Sequence, residues 1–143
     1  GGVALRPQRA ELSTTVRCEP LDDLVRDFAQ VDFIKVDVEG MEQHVLAGST
    51  RAIERFRPVL YVENDRQGNS KALIEMVQSQ GYRAWWHIPP LFNPDNYYAN
   101  AQDLYPGICS FNMLCVPSER EAEIPEGLRE ARATDPHPLS GAG

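Results

Sequence analysis

Val31-Asp32-Phe33-Ile34-Lys35-Val36-Asp37-Val38, closed by Glu39-Gly40, is the stretch on which the fold turns. Its β-branched and aromatic residues and its short length favour a strand over a helix. Glu39-Gly40 breaks that strand, since glycine permits a sharp change of backbone direction. Met41, Val45, Leu46, Ile53 and Phe56 then recur at helical spacing as far as Arg57, and Pro58 predicts the helix end. Val59-Leu60-Tyr61-Val62-Glu63 is a second short apolar run. Two such runs separated by one helix have the βαβ rhythm of a parallel sheet, with a right-handed crossover expected.

Outward from this unit the pattern continues. Upstream, residues 12–16 are β-prone, and Pro20 followed by Asp22 and Asp23 predicts a helix start with Leu21, Leu24, Val25 and Phe28 as its buried stripe. Downstream, Ser70 is the expected N-cap of an amphipathic helix through Ala72, Leu73, Met76, Val77 and Gln80, closed by Gly81. A third strand is predicted over Tyr82–His87 and a last one over Ile108–Val116. Between them, residues 88–107 carry four prolines and a cluster of Asn and Tyr, too long for an ordinary connector and suited to covering a site. The order is thus β, α, β, α, β, α, β, loop, β, tail, with one domain over 1–117 and a mobile acidic, Pro/Gly-containing tail over 118–143.

A chain of 143 residues is the size of one domain. It has no run of about twenty apolar residues, so no transmembrane helix is expected. Fourteen basic against twenty-one acidic residues give a net charge of −7, which disfavours nucleic acid and anionic membrane as partners. Small molecules or cations fit that charge better. Gly1-Gly2-Val3-Ala4 lacks a basic start followed by an apolar stretch, so it does not read as a secretory signal. Cys18, Cys109 and Cys115 cannot all pair and show no Cys-x-x-Cys spacing, which points to a reducing, cytoplasmic setting.

The chemistry-bearing residues gather where the strands end. Asp37 and Glu39 stand two apart at the carboxyl end of a buried strand, the edge at which open α/β sheets bind ligands. There they could hold a cation, act as a base, or simply cap the helix that follows. Glu63, Asn64 and Asp65 end the next strand at the same edge, about 5 Å away if the strands are neighbours. His44, one turn into the helix, is a candidate acid or base against the plainer reading of a surface histidine. His87 is a pocket wall or a packing residue beside Trp85 and Trp86. Asn93 and Tyr97 offer an amide and a phenol to a hydroxyl-rich ligand, or form a rigid turn. Asn112 interrupts an apolar strand and must be satisfied by structure or ligand. No Gly-x-Gly-x-x-Gly, Walker-type phosphate loop, His-Glu-x-x-His, Gly-x-Ser-x-Gly or zinc spacing occurs, and no metal ligand set is expected.

Phe33-Ile34-Lys35-Val36-Asp37-Val38-Glu39-Gly40-Met41-Glu42, then Val45-Leu46-Ala47-Gly48 and Arg57-Pro58-Val59-Leu60-Tyr61-Val62-Glu63, resemble the FkbM-type family of S-adenosylmethionine-dependent methyltransferases. The resemblance extends to Leu21-Asp22-Asp23-Leu24, Pro90-Leu91-Phe92-Asn93-Pro94 and Ser110-Phe111-Asn112-Met113-Leu114-Cys115. It implies a Rossmann-like class I methyltransferase sheet, its C-terminal half only, mostly parallel with a late antiparallel strand. It also implies methyl transfer to a hydroxyl of a sugar, polyketide or related metabolite, with S-adenosylmethionine as cofactor. By analogy Asp37, Val38 and Glu39 would border the cofactor, and Asn64, His87, Asn93, Tyr97 and Asn112 would contact the acceptor. Asp37, Glu39, Glu63 and His44 all remain candidates for the base.

Such enzymes place a glycine-rich cofactor loop and an acidic ribose-binding strand end before the region seen here, and this sequence has neither. The strand over 31–38 would then lack a neighbour, which predicts a homo-oligomer or pairing with a missing N-terminal half. Two other classes are weighed beside the methyltransferase. One is a divalent-metal transferase using Asp37, Glu39 and Glu63, and the other is a non-catalytic interaction module of the same ancestry.

Overall fold

The computed structural model describes residues 14–120, 124 and 126–141. Its centre is a four-stranded sheet of β1 (Phe33–Val36), β2 (Val59–Glu63), β3 (Tyr82–His87) and β4 (Asn112–Pro117), in the order β1-β2-β4-β3. β1 and β2 are parallel, as the βαβ reading requires. β4 enters between β2 and β3 and runs antiparallel to both. Three strands therefore share one direction, but only one of the three ladders is parallel, so the sheet is mixed rather than mostly parallel.

The helix predicted from Met41 to Arg57 is two helices, α2 (Glu42–Ala47) and α3 (Thr50–Phe56). The break has a local cause. Ser49 turns its hydroxyl back onto the Val45 carbonyl at 2.5 Å, competing with the backbone ladder. The new helix start is then capped from a distance by Asp22, whose carboxylate accepts from Ala52 N at 2.7 Å and Arg51 N at 3.2 Å. Asp22 belongs to α1 (Leu21–Leu24), a single turn. Because α1 stops so early, only Val25 of the expected stripe is buried, and Leu24 and Phe28 are exposed. The described residues of the β-prone 12–16 run, Thr14–Val16, form no strand, and Leu12 and Ser13 lie outside the described residues.

α4 (Gln67–Ser79) starts three residues before the expected cap, which places Ser70 inside the helix and buries it with Leu73, Ile74 and Val77. Gly81 follows at φ +77°, a conformation that strains any L side chain. The helices pack on one sheet face, where Val36, Leu60, Val62, Ala84, Trp86, Met113 and Cys115 meet Leu46, Ile53, Leu73, Ile74 and Val77. Each Val, Leu, Ile or Met side chain among them contributes roughly 1.5–3 kcal/mol on leaving water. Alternation along the strands sends Phe33, Lys35, Tyr61, Leu114 and Trp85 to the other face.

The segment expected as a mobile tail is packed in its described part. Trp86 N donates to Arg129 O and Ala131 N to Ala84 O, both at 2.8 Å, along the outer side of β3. Ala131 is wholly buried. Among the described residues after β4 the regular element is a 3₁₀ turn over Pro138–Gly141. His137, just before that turn, is buried between Trp86 and Phe111. Leu139 N donates to its Nδ1 at 3.1 Å, which leaves Nε2 to donate to Asn64 O at 2.7 Å. The tail is thereby strapped to the end of β2.

Candidate active site

Register, more than sequence proximity, assembles the polar residues. Val36 pairs with Val62, so Asp37, one step beyond β1, stands opposite Glu63. Glu63 pairs with Asn112, and Asn112 with His87. Asp37, Glu63, Asn112 and His87 thus form one row across the whole sheet, on one face, at the end where β1, β2 and β3 finish. Lys35 and Tyr61 lie two residues behind Asp37 and Glu63 on the same face.

The carboxyl pair carries the strongest electrostatics. Asp37 accepts from Lys35 Nζ at 2.7 Å, and that charged hydrogen bond holds its carboxyl below the ordinary aspartate range. Glu63 is pushed the other way, from 4.5 up to about 7, first by burial and then by the neighbouring Asp37 and Asp65 carboxylates. Its Oε2 is buried and accepts no hydrogen bond among the described residues. An ionised oxygen in that position is costly, and the neighbouring Asp37 carboxylate adds to that cost, so the pair favours holding a proton on Glu63.

The rest of the row is preorganised by the protein itself. Asn112 is buried and donates from Nδ2 to Ser110 Oγ at 2.7 Å. His87 Nδ1 lies 2.7 Å from the Tyr61 hydroxyl, whose ring stacks on Phe33 at 6.5 Å between centroids. Burial raises the Tyr61 phenol, which keeps it protonated at neutral pH.

The other sequence candidates lie elsewhere. Glu39 adopts φ +53°, which turns its exposed carboxylate to Arg66 at 3.1 Å and out of the row. Val38 packs against the core, and its carbonyl accepts from Met41 N. His44 is exposed on α2 and makes no side-chain hydrogen bond to the acids among the described residues. Asn64 follows Glu63 by one residue and so faces the core, where its Nδ2 reaches Met113 Sδ at 3.3 Å. Residues 88–111 rise beyond β3 and β4 as a ribbon whose base pairs Pro90 with Cys109. In it Asn93 caps Asp95 N at 2.9 Å, while Asn96 ties Asn93 and Asn100 together. Those amides build the loop, and Tyr97 stands almost fully exposed against Tyr98.

With Glu39 turned away, the trio Asp37, Glu39 and Glu63 does not converge, and no group of three His, Cys, Asp or Glu among the described residues is arranged to hold a metal ion. No helix among them is long and apolar enough to cross a membrane.

Fold and site together define an α/β domain with an acidic edge at its strand ends, where sheets of this class commonly bind ligands. The family model for the Methyltransferase FkbM domain matches residues 6–84, more than half of the chain, and the protein belongs to that family. Neither a curated protein nor a solved structure matches the chain. Tyr61 and Lys35 escaped the sequence reading although they carry the signal that finds them, an i, i+2 spacing behind each acid on a paired strand.

Proposed function

We propose that the chain contributes to an S-adenosylmethionine-dependent O-methyltransferase site in which Glu63 accepts the acceptor hydroxyl's proton. One observation carries this: at the ligand edge of a methyltransferase-family sheet, the buried, unpartnered Oε2 of Glu63 sits beside the ionised Asp37. A cationic cofactor suits that pair, because a positive group there would satisfy the orphaned oxygen and the acidic field. Bound S-adenosylmethionine would supply an electrophilic methyl group on a positively charged sulfur. The carboxylates would hold that positive end, and the sequence offers no glycine-rich loop for the rest of the molecule.

Glu63 fits the proton acceptor because a base that titrates near neutrality combines a populated carboxylate with useful basicity. Asp37, kept ionised by Lys35, supplies the field that keeps Glu63 basic. Asn112 and His87, next along the row, would orient the acceptor. A sugar, polyketide or related hydroxyl metabolite is the class of acceptor, and a cytoplasmic setting accords with three free cysteines.

A second reading is favoured by one feature. Among the described residues nothing pairs with the outer edge of β1, so the domain could serve as an interaction module that accepts a further strand from another chain or from a second copy. Calorimetric titration with S-adenosylhomocysteine, run beside a size measurement, separates the two. Micromolar binding that falls at least about tenfold in Asp37→Asn supports the cofactor site. Silence up to millimolar, with a stable oligomer, supports the module.

A further inference from the structure

Resting on the O-methyltransferase reading, we propose that Tyr61 is a positioning residue that fixes His87 in its Nε2–H form, making the free nitrogen of His87 a hydrogen-bond donor at the acceptor side of the site and not a base. The inference begins with a single proton. The Tyr61 hydroxyl meets His87 Nδ1 at 2.7 Å and has no other hydrogen-bond partner among the described residues. Its phenol is raised by burial and so carries a proton that needs an acceptor. If Nδ1 carried the ring proton and donated to the phenol oxygen, the phenol proton would be left without a protein acceptor. With the phenol donating, both are satisfied, and the ring proton sits on Nε2.

The geometry holds that arrangement in place. Tyr61 pairs with Leu114, and Leu114 with Trp85, so the phenol reaches diagonally across β4 to His87, two residues further along β3. Phe33 stacks behind the Tyr61 ring and restricts its swing. His87 Nε2 makes no hydrogen bond among the described residues, and His87 itself ends the row begun by Asp37 and Glu63. At about 4.8 Å per strand, His87 stands two strands, about 10 Å, from Glu63, a span suited to a ring-sized acceptor held by a donor at one end and deprotonated at the other. Of the ionisable groups in the row, His87 then donates, and proton removal falls to the carboxylate pair.

The experiment is a long-range proton–nitrogen NMR correlation of the uniformly ¹⁵N-labelled full chain near neutral pH. Three histidines, His44, His87 and His137, are present, and the pattern lost in His87→Gln assigns His87. The expected wild-type pattern has an unprotonated, hydrogen-bonded Nδ1 and a protonated Nε2. In Tyr61→Phe, which keeps the ring on Phe33, the Nδ1 signal moves to that of a free nitrogen and the tautomer ratio changes about fivefold, the worth of one neutral hydrogen bond. A wild-type Nδ1–H pattern, or a Tyr61→Phe spectrum in which His87 is unchanged, overturns the proposal. The wild-type pattern decides the matter if Tyr61→Phe fails to fold. Failure of cofactor binding leaves this signature unaltered, so the two readings fail separately.

Discussion

Replacing Glu63 by Gln should make the protein more stable at neutral pH, the reverse of what removal of a site residue in a packed sheet usually does. The reasoning is proton linkage. Glu63 titrates from 4.5 when exposed to about 7 in the fold, so between those values the folded protein holds a proton that the unfolded chain has released. Stability therefore falls as pH rises through this window, is unaffected by the group below it, and carries the whole penalty above it. At about 1.4 kcal/mol per pH unit the penalty is capped near 3 kcal/mol, and solvent access to the partly exposed side chain reduces it to about 1–2 kcal/mol. Asp37 works in the opposite sense, its stabilisation disappearing only as pH falls below the ordinary aspartate range. The Gln amide can still donate to Asp37 as the protonated carboxyl does, so the variant should match the parent near pH 5 and exceed it by about 1–2 kcal/mol near pH 8. Urea denaturation followed by circular dichroism across that range measures the difference. Parallel stability curves for parent and Glu63→Gln would refute the shared-proton account of the pair.

Other outcomes follow from the packing. Asp22→Ala should cost about 1–2 kcal/mol by uncapping α3, with Asp22→Asn recovering part of it, as read by thermal unfolding. His137→Ala should cost about 2–3 kcal/mol, because it empties the space between Trp86 and Phe111 and leaves the Asn64 carbonyl without its donor. His137→Phe should recover only the packing share in the same denaturation assay. Burial pushes the Cys115 thiol far up, so a thiol reagent should label exposed Cys18 in the folded protein and Cys115 only after urea is added, with mass spectrometry locating the label.

The βαβ unit was legible because periodicity reports burial, which Val36, Leu60 and Val62 of the strands share with Leu46 and Ile53 of the helices between them. The restart at α3 was not, because the carboxylate that caps it belongs to Asp22, some thirty residues away and brought near only by folding. The site was half legible for the same reason. Asp37, Glu63 and His87 stood out as polar residues at strand ends and Asn112 as a polar residue within an apolar strand, yet their joining into one row depends on β4 slipping between β2 and β3, which no local pattern announces. Glu39 and Asn64 misled in turn, one through a left-handed backbone and the other through the simple alternation of a strand. Pro136-His137-Pro138 reads as a solvated tail by composition, and only the pocket between Trp86 and Phe111 reveals its use.

The insertion of β4 has a consequence for how the molecule is made. Among the described residues β4 is the one strand beside β3, whose other edge takes the Arg129–Ala131 backbone, and β2 has only β1 until β4 arrives. During synthesis the edges of β2 and β3 must therefore wait, unpaired, until Pro117 has left the ribosome. The stretch matched by the family model ends at residue 84, within β3 and before β4, so it does not contain the whole sheet. A fragment cut at that boundary would expose strand edges and aggregate, while one extended past the His137 strap would close its sheet.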